Sequence, residues 1–250
     1  MPTAGEVRGG FHGMRERVGQ GIDAMRPSDY ADLPDVALED LGRIWAATEA
    51  TWAWPTQYLL VLVRLAKKPQ GGDRALLCYH LAMRARGRLR KTVVDGWSES
   101  WCQWWDQAVR GSSALKAAFA RILHDEVHAA MGWSIAAGFA DIKGFYGHTL
   151  WGKLVQEAIR WHYPLQGVVL SIQAFMAPRM LCWQGWVTED PILPGRSVGT
   201  GIRSGNDLAR VYSYSWVEHI TQSCVGVTLA QCVDDVPFRA IGTPLTSSKG

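Results

Sequence analysis

An apolar run that carries two adjacent aspartates constrains the fold of this chain more than any other stretch. Residues 225–238 read VGVTLAQCVDDVPF. The side chains of a strand alternate between its two faces, so this run predicts a strand that turns at Asp234 and Asp235. Val236 then begins a return strand, in which Pro237 has to lie at an edge or a bulge. Two neighbouring carboxylates repel each other, so they belong on a solvated turn or beside a divalent cation.

A second apolar strand, which also ends in an aspartate, precedes this hairpin. Residues 134–146 read SIAAGFADIKGFY, and the predicted strand ends at Asp141. One such strand followed by an Asp-Asp hairpin is the arrangement needed to hold two Mg²⁺ ions, because Mg²⁺ prefers hard oxygen ligands. Two such ions can activate a 3′-hydroxyl and stabilise a leaving pyrophosphate. On the hairpin residues alone, an ordinary Asp-Asp turn between strands is equally acceptable.

Both stretches resemble motifs of one protein family. DIKGFY, which begins at Asp141, resembles motif A of the reverse transcriptase palm, and CVDDV at 232–236 resembles its motif C. The resemblance is to reverse-transcriptase-like domains of non-LTR and group II-like retroelements, and it covers roughly residues 60–241. It implies an α+β fold, with a palm-like antiparallel sheet backed by helices and a fingers hairpin before it. It also implies RNA-directed DNA polymerase activity, with Mg²⁺ or Mn²⁺ held by the catalytic residues Asp141, Asp234 and Asp235.

A basic hairpin further upstream resembles the fingers hairpin of the same family. Residues 58–65 predict a buried strand, the Gly-Gly pair at 71–72 is a hairpin signal, and Arg74 opens the return strand. In the family, a lysine and an arginine of this hairpin project toward the incoming triphosphate. The resemblance therefore implies that Lys67, Lys68 and Arg74 bind a deoxynucleotide triphosphate, since such cations suit phosphate oxygens. Taken alone, these residues indicate a solvated basic hairpin.

Two further positions complete the site that the resemblance implies. Tyr146, a bulky ring shortly after motif A begins, is matched to the side chain that excludes a ribose 2′-OH. The stretch PILPGRSVGTGIRSGNDLARVY at 191–212 resembles motif B, and Gly201 is matched to its key glycine. That glycine lets the backbone approach the template base, because it has no Cβ. Arg203 and Asp207 depart from the family pattern, and the segment alone would be a glycine-rich surface loop.

Composition and apolar spacing divide the rest of the chain. Residues 1–36 are rich in Gly, Pro and charge, and we predict a poorly ordered segment with one short helix around 14–25. Residues 37–133 are predicted to form a fingers-like subdomain, 134–241 a palm-like subdomain, and 242–250 a polar tail. A complete polymerase of this family continues with a helical thumb. The expectation is therefore a fragment in which the thumb is absent and whose isolated activity is weak.

Charge and cysteine content bear on partners and compartment. The net charge is only +3, so the RNA template, the DNA primer and the deoxynucleotide triphosphates are partners implied by the resemblance alone. The five cysteines are odd in number and contain no C-x-x-C pair, which indicates a reducing, intracellular location, cytoplasmic or nuclear. The sequence has no signal peptide and no apolar run of membrane-spanning length, so no membrane partner is expected.

Two other functions remain open at this stage. The altered motif B and the absent thumb are compatible with a degenerate palm that only binds nucleic acid or a protein. A helix predicted over 113–133 contains DEVH at 125–128, and D-E-x-H also occurs in diiron carboxylate helices. A diiron four-helix bundle needs a second such pair and two single carboxylates. Of these, the sequence offers only Glu49 as a possible single ligand.

Overall fold

The computed structural model describes residues 1–16, 19–109, 111–224, 226–233 and 235–242, and it has an α+β fold with two small sheets. This confirms the predicted fold class. Its helices are α1 (Ala4–His12), α2 (Pro27–Ala31), α3 (Asp35–Thr51), α4 (Leu81–Leu89), α5 (Lys91–Trp101), α6 (Ala114–Ala130), α7 (Phe145–His148), α8 (Trp151–Arg160), α9 (Leu165–Met176) and α10 (Arg203–Ser223). Its strands are β1 (Val61–Lys67), β2 (Asp73–Cys78), β3 (Ser134–Asp141), β4 (Arg179–Trp183), β5 (Trp186–Val187), β6 (Val227–Leu229) and β7 (Asp235–Gly242).

The first sheet has the strand order β2-β1-β4-β5. Its β1–β2 hairpin turns at Gly71 and Gly72, whose φ angles of 90° and 78° are those that glycine adopts without strain. Strand β1 also pairs with β4 in parallel, from Val61 opposite Arg179 onward. The β4–β5 hairpin thus lies in the range predicted as palm, yet it belongs to the same sheet as the predicted fingers hairpin.

The second sheet has the order β3-β7-β6 and is antiparallel throughout. Strands β3 and β7 pair over their whole length, from Ser134 opposite Gly242 to Asp141 opposite Asp235. Helix α10 covers this sheet, because Val217 of α10 is fully buried in one cluster with residues of β6 and β7. Strands β6 and β7 therefore pack on α10, a helix of 21 residues.

A helical core connects the two sheets. Helices α5, α8, α9 and α10 bury an aromatic cluster that includes Trp97, Trp161, Tyr163 and Tyr214. The indole N–H of Trp97 donates to the Trp161 carbonyl at 2.8 Å, so this buried polar edge keeps a partner. Within the described ranges, no helix is both long and apolar enough to cross a membrane.

The N-terminal residues differ from the sequence prediction. No described residue of 14–25 is helical, so the short helix predicted there is wrong, and the segment has α1 earlier and α2 later instead. Helix α1 begins with a capping box, in which Thr3 and Glu6 each satisfy a backbone N–H of the other. Val7 and Phe11 of α1 are fully buried against α3 and α4. These apolar contacts hold the N-terminal segment, although its composition is rich in Gly, Pro and charge.

Helix α6 forms as predicted, but its apolar stripe is not covered. Ser113 caps the helix, and its hydroxyl accepts the Lys116 N–H at 3.1 Å. Leu115, Phe119 and Ile122, which follow the predicted apolar spacing, are 81%, 66% and 56% exposed. The periodicity identified the helix correctly but could not show what, if anything, packs on its apolar side.

Candidate active site

Two acidic residues face each other where β3 ends and β7 begins. Asp141 and Asp235 are directly opposite in the β3–β7 ladder, and both are exposed. Opposite residues of an antiparallel pair have Cβ atoms about 4.5–5.5 Å apart, a distance at which like charges destabilise the sheet. Asp234, the third predicted ligand, lies outside the described residues. The two described carboxylates fit the hard-oxygen preference of Mg²⁺.

The turn that leads into Asp235 is tight and strained. The Cys232 N–H donates to the Asp235 carbonyl at 2.8 Å, and the Asp235 N–H donates back to the Cys232 carbonyl at 3.2 Å. Val233, inside this turn, has a φ of 62°, which is costly for a β-branched residue. Such a conformation persists only where the surroundings hold it, so the contacts around the turn are part of the site.

Gln231 is one of the residues that hold the turn. Its side chain is fully buried, and its amide donates to the Val233 carbonyl at 3.1 Å and also to the Ser213 hydroxyl. Its backbone is fixed by two hydrogen bonds of 2.8 Å, to the Trp105 carbonyl and from the Gln107 N–H. The sequence did not identify this role, although a glutamine among Val and Leu on one strand face was the available signal.

A buried ionic network lies behind Gln231 and links α10 to the segment before α6. The Arg210 guanidinium donates to Asp106 Oδ2 at 2.8 and 2.6 Å, and both side chains are almost completely buried. The Tyr214 hydroxyl also donates to this carboxylate. Burial alone lowers the pKa of Arg210, but Tyr214 and Asp106 outweigh burial and raise it. Since buried charges are tolerated only when paired, the network fixes α10 beneath the turn.

A cavity of about 460 Å³ opens beside the strained turn, and Val233 forms part of its wall. Arg84 and Arg88 of α4 and Arg203 of α10 line it. Within the described part of the chain, this lining holds four arginines, the fourth being Arg210, against a single carboxylate. The volume lies in the range of small-molecule sites, and the excess of cations favours a phosphate-bearing ligand.

The single carboxylate of this cavity, Asp207, is perturbed. Burial raises the pKa of Asp207, although Arg210 and Arg203 both attract its charged form. Its Oδ1 accepts a hydrogen bond of 3.2 Å from Arg210. The sequence marked Asp207 and Arg203 only as departures from motif B, and the structure shows that both departures line the cavity.

Gly201 also lines this cavity, but its lack of a Cβ has a local structural reason. A Cβ at this position would lie 2.0 Å from the Leu77 carbonyl oxygen and 2.8 Å from the Tyr79 ring. The glycine therefore allows the motif B-like loop to lie against the end of β2. The predicted contact of Gly201 with a template base stays a prediction.

Tyr146 lies next to the same loop. Its hydroxyl donates to Asn206 Oδ1 at 3.1 Å, and its carbonyl accepts the Val198 N–H at 2.7 Å. Asn206 lines the basic cavity, so Tyr146 is linked to the cavity wall through this hydrogen bond. Its selectivity toward the ribose stays a prediction.

The three hairpin cations occupy a different place. Lys67, Lys68 and Arg74 are exposed at the end of the β1–β2 hairpin, and the Lys67 ammonium lies 2.9 Å from Asp73. None of the three lines the basic cavity as the described residues form it. The structure therefore places Asp141 opposite Asp235 and Gly201 in the cavity lining, while the hairpin cations lie apart from the cavity.

The diiron alternative is not favoured. The fold is mixed rather than a helical bundle, and Asp125 of α6 pairs with Arg239 of β7 at 3.0 Å. Among the residues that the structure describes, no three His, Cys, Asp or Glu side chains come close enough to share a metal ion.

No protein family and no curated protein matches this sequence. The fold resembles a solved structure of apo telomerase from Candida tropicalis truncated from its C-terminal domain, with 13% identity and a TM-score of 0.51. The match covers 83% of this chain and 49% of that one, so it spans about half the length of the telomerase structure. At this identity the likeness concerns the fold alone.

Proposed function

We propose that this chain carries the nucleotide-transferring core of a reverse-transcriptase-like polymerase, which extends a DNA primer on an RNA template. The observation that carries the proposal is the pairing of Asp141 with Asp235 at the end of β3, beside the turn of β6 and β7. The fold likeness to telomerase, an enzyme related to reverse transcriptases, supports the same class. The basic cavity beside the turn supports a phosphate-bearing substrate.

In this proposal, Asp141, Asp234 and Asp235 hold Mg²⁺ or Mn²⁺. The metal would neutralise the negative charge on the attacking 3′-oxygen and on the leaving pyrophosphate oxygen. The side chains of the protein would do the positioning. Asp141 and Asp235 are opposite each other where β3 ends and β7 begins, and Gln231 fixes the turn that leads into β7. Phosphoryl transfer depends mostly on positioning and electrostatics, so no covalent nucleophile is required.

The substrate phosphates have two candidate sets of cations. Arg84, Arg88 and Arg203 line the cavity that contains Val233, so we assign them first. The family resemblance assigns the triphosphate instead to Lys67, Lys68 and Arg74 at the hairpin. Arg88→Ala and Arg74→Ala separate the two assignments, because the variant that weakens deoxynucleotide triphosphate binding by about 10-fold or more identifies the set in contact.

Single-nucleotide primer extension tests the proposal. The wild-type chain, Asp141→Asn and Asp235→Asn are compared on a DNA primer annealed to RNA, at low salt with Mg²⁺ or Mn²⁺. We expect each variant to lose about 100-fold or more of the rate, while Asp190→Asn, an exposed loop aspartate, retains it.

The same assay distinguishes a polymerase from a palm that only binds nucleic acid. Equal extension by the wild type and both carboxylate variants would refute the assigned site. Tight primer–template binding without any extension, at saturating substrate and metal, would instead favour a palm that only binds nucleic acid.

A further inference from the structure

The first sheet places two hairpin turns side by side. Strands β1 and β4 run parallel and in register, from Val61 opposite Arg179 to Arg64 opposite Cys182. The β1–β2 turn at 68–72 and the β4–β5 turn at 184–185 therefore lie at the same end of the sheet. Neighbouring strands are about 4.8 Å apart, so the two turns lie within roughly 10 Å of each other.

The β4–β5 turn carries an exposed pair of tryptophans. Trp183 and Trp186 are directly opposite across the hairpin, and they are 51% and 80% exposed. Gln184 and Gly185 between them have φ angles of 49° and 87°, the signs that a two-residue hairpin turn requires. Opposite residues project to the same face, so both indoles lie on one side of the sheet. Large aromatic surface left in water at such a place is a mark of an interaction site.

Lysines of the neighbouring turn lie beside these rings. Side chains alternate along strands, and Arg64 is in register with Cys182, so Lys67 shares a face with Trp183. Lys68 begins the turn itself, where its N–H donates to the Gly72 carbonyl at 3.1 Å. Arg74, which is opposite Ala66, lies on the other face. We call the set Lys67, Lys68, Trp183 and Trp186 the sheet tip.

We propose that the sheet tip binds an unpaired nucleic acid strand, with the indoles stacked on bases and the lysines on backbone phosphates. Exposed aromatic rings next to cations are the pattern by which proteins bind single strands without sequence preference. Only unpaired bases offer their faces, because the faces of duplex bases are already stacked. The inference goes beyond the polymerase proposal, since it uses neither Asp141 nor Asp235 and assigns Lys67 and Lys68 to strand phosphates rather than to the triphosphate.

Fluorescence anisotropy with a labelled 12-nucleotide oligothymidylate, in EDTA, tests this surface without involving the metal site. The double variant Trp183→Ala, Trp186→Ala should bind about 10- to 100-fold more weakly than the wild type, because each stacked base is lost. Trp104→Ala removes a tryptophan that is 65% exposed elsewhere, and it should bind as the wild type does. The double Trp→Phe variant keeps flat rings and should retain most of the affinity.

Two further measurements test the roles of the lysines and of the unpaired bases: the salt dependence of binding and competition by duplex DNA. Lys67→Ala with Lys68→Ala should reduce the slope of log affinity against log salt by about 1.4, whereas Arg43→Ala, at an exposed position of α3, should leave it unchanged. A blunt duplex of equal length should compete poorly. Duplex competition equal to that of the single strand, or wild-type affinity in the Trp→Ala double variant, would overturn the proposal. The anisotropy assay contains neither metal nor nucleotide, so a chain without polymerase activity can still bind the strand, and failure of the two proposals gives different results.

Discussion

Replacing Asp141 by Asn should change the stability of the protein in opposite directions with and without a divalent cation. Without one, two carboxylates about 5 Å apart repel each other by about 0.8 kcal/mol at the dielectric constant of water. Both side chains are exposed, so the water value is the appropriate one, and it agrees with the 0.2–1 kcal/mol range for cross-strand pairs. In EDTA, Asp141→Asn should therefore raise the free energy of unfolding by about 0.5–1 kcal/mol.

With Mg²⁺ the order reverses. A cation that binds only the folded chain stabilises it by about 1.4 kcal/mol at a concentration ten times its Kd. The wild type receives this gain, and Asp141→Asn loses most of it because one ligand is gone. The wild type should then be the more stable of the two proteins by roughly 0.5–1 kcal/mol.

Urea unfolding followed by tryptophan fluorescence, in EDTA and in Mg²⁺, measures both differences. Asp190→Asn removes an equal charge from an exposed loop and should respond to Mg²⁺ as the wild type does. At 1 M NaCl the EDTA difference should shrink, since screening then acts over about 3 Å. A variant that is less stable in EDTA would refute the repulsion, and a variant that gains as much from Mg²⁺ as the wild type would show that Asp141 is not a metal ligand.

Three further substitutions test the contacts around the site by urea unfolding. Gly201→Ala should cost about 1–3 kcal/mol, because its Cβ meets a β2 carbonyl, whereas Gly195→Ala, with open space around it, should be nearly neutral. Asp106→Ala should cost about 3–5 kcal/mol, because the buried Arg210 charge loses its shorter ion pair and keeps only the one with Asp207. Burial raises the folded-state pKa of Asp207 above its ordinary 3.8, so its ionisation costs stability as the pH rises from 3.8 through the folded pKa. Asp207→Asn should therefore stabilise the chain at pH 7, with a gain that disappears below pH 3.8; a gain independent of pH would contradict this account.

Much of the second sheet could be predicted from the sequence, because its signals are local. Alternating apolar residues placed a strand before Asp141 and another before the Asp-Asp turn, and the structure pairs β3 with the return strand β7. The Gly-Gly pair at 71–72 likewise predicted the β1–β2 hairpin, which the structure contains. In each case the signal is local: alternation of apolar residues predicts a strand, and a Gly-Gly pair predicts the turn of a hairpin.

The rest depends on packing between segments that are distant in sequence. Nothing near Arg84 or Arg88 indicates that α4 faces the start of α10, so the basic cavity could not be predicted. The glycines and charges of the N-terminal segment indicated disorder, yet Phe11 is fully buried, because α3 and α4 supply an apolar surface for it. The stripe of α6 shows the converse, since apolar spacing indicated a helix but not its burial.

The parallel pairing of β1 with β4 has a consequence for how the chain folds during synthesis. The β1–β2 hairpin can form within microseconds of leaving the ribosome, but its partner strand begins at Arg179, far along the chain. At 5–20 residues per second, β1 waits about 6–24 s for that partner. During this interval one edge of β1 has no strand beside it, and the helices between the two strands have time to form first. Slow translation of this region should therefore prolong the exposure of that edge to chaperones and to other nascent chains.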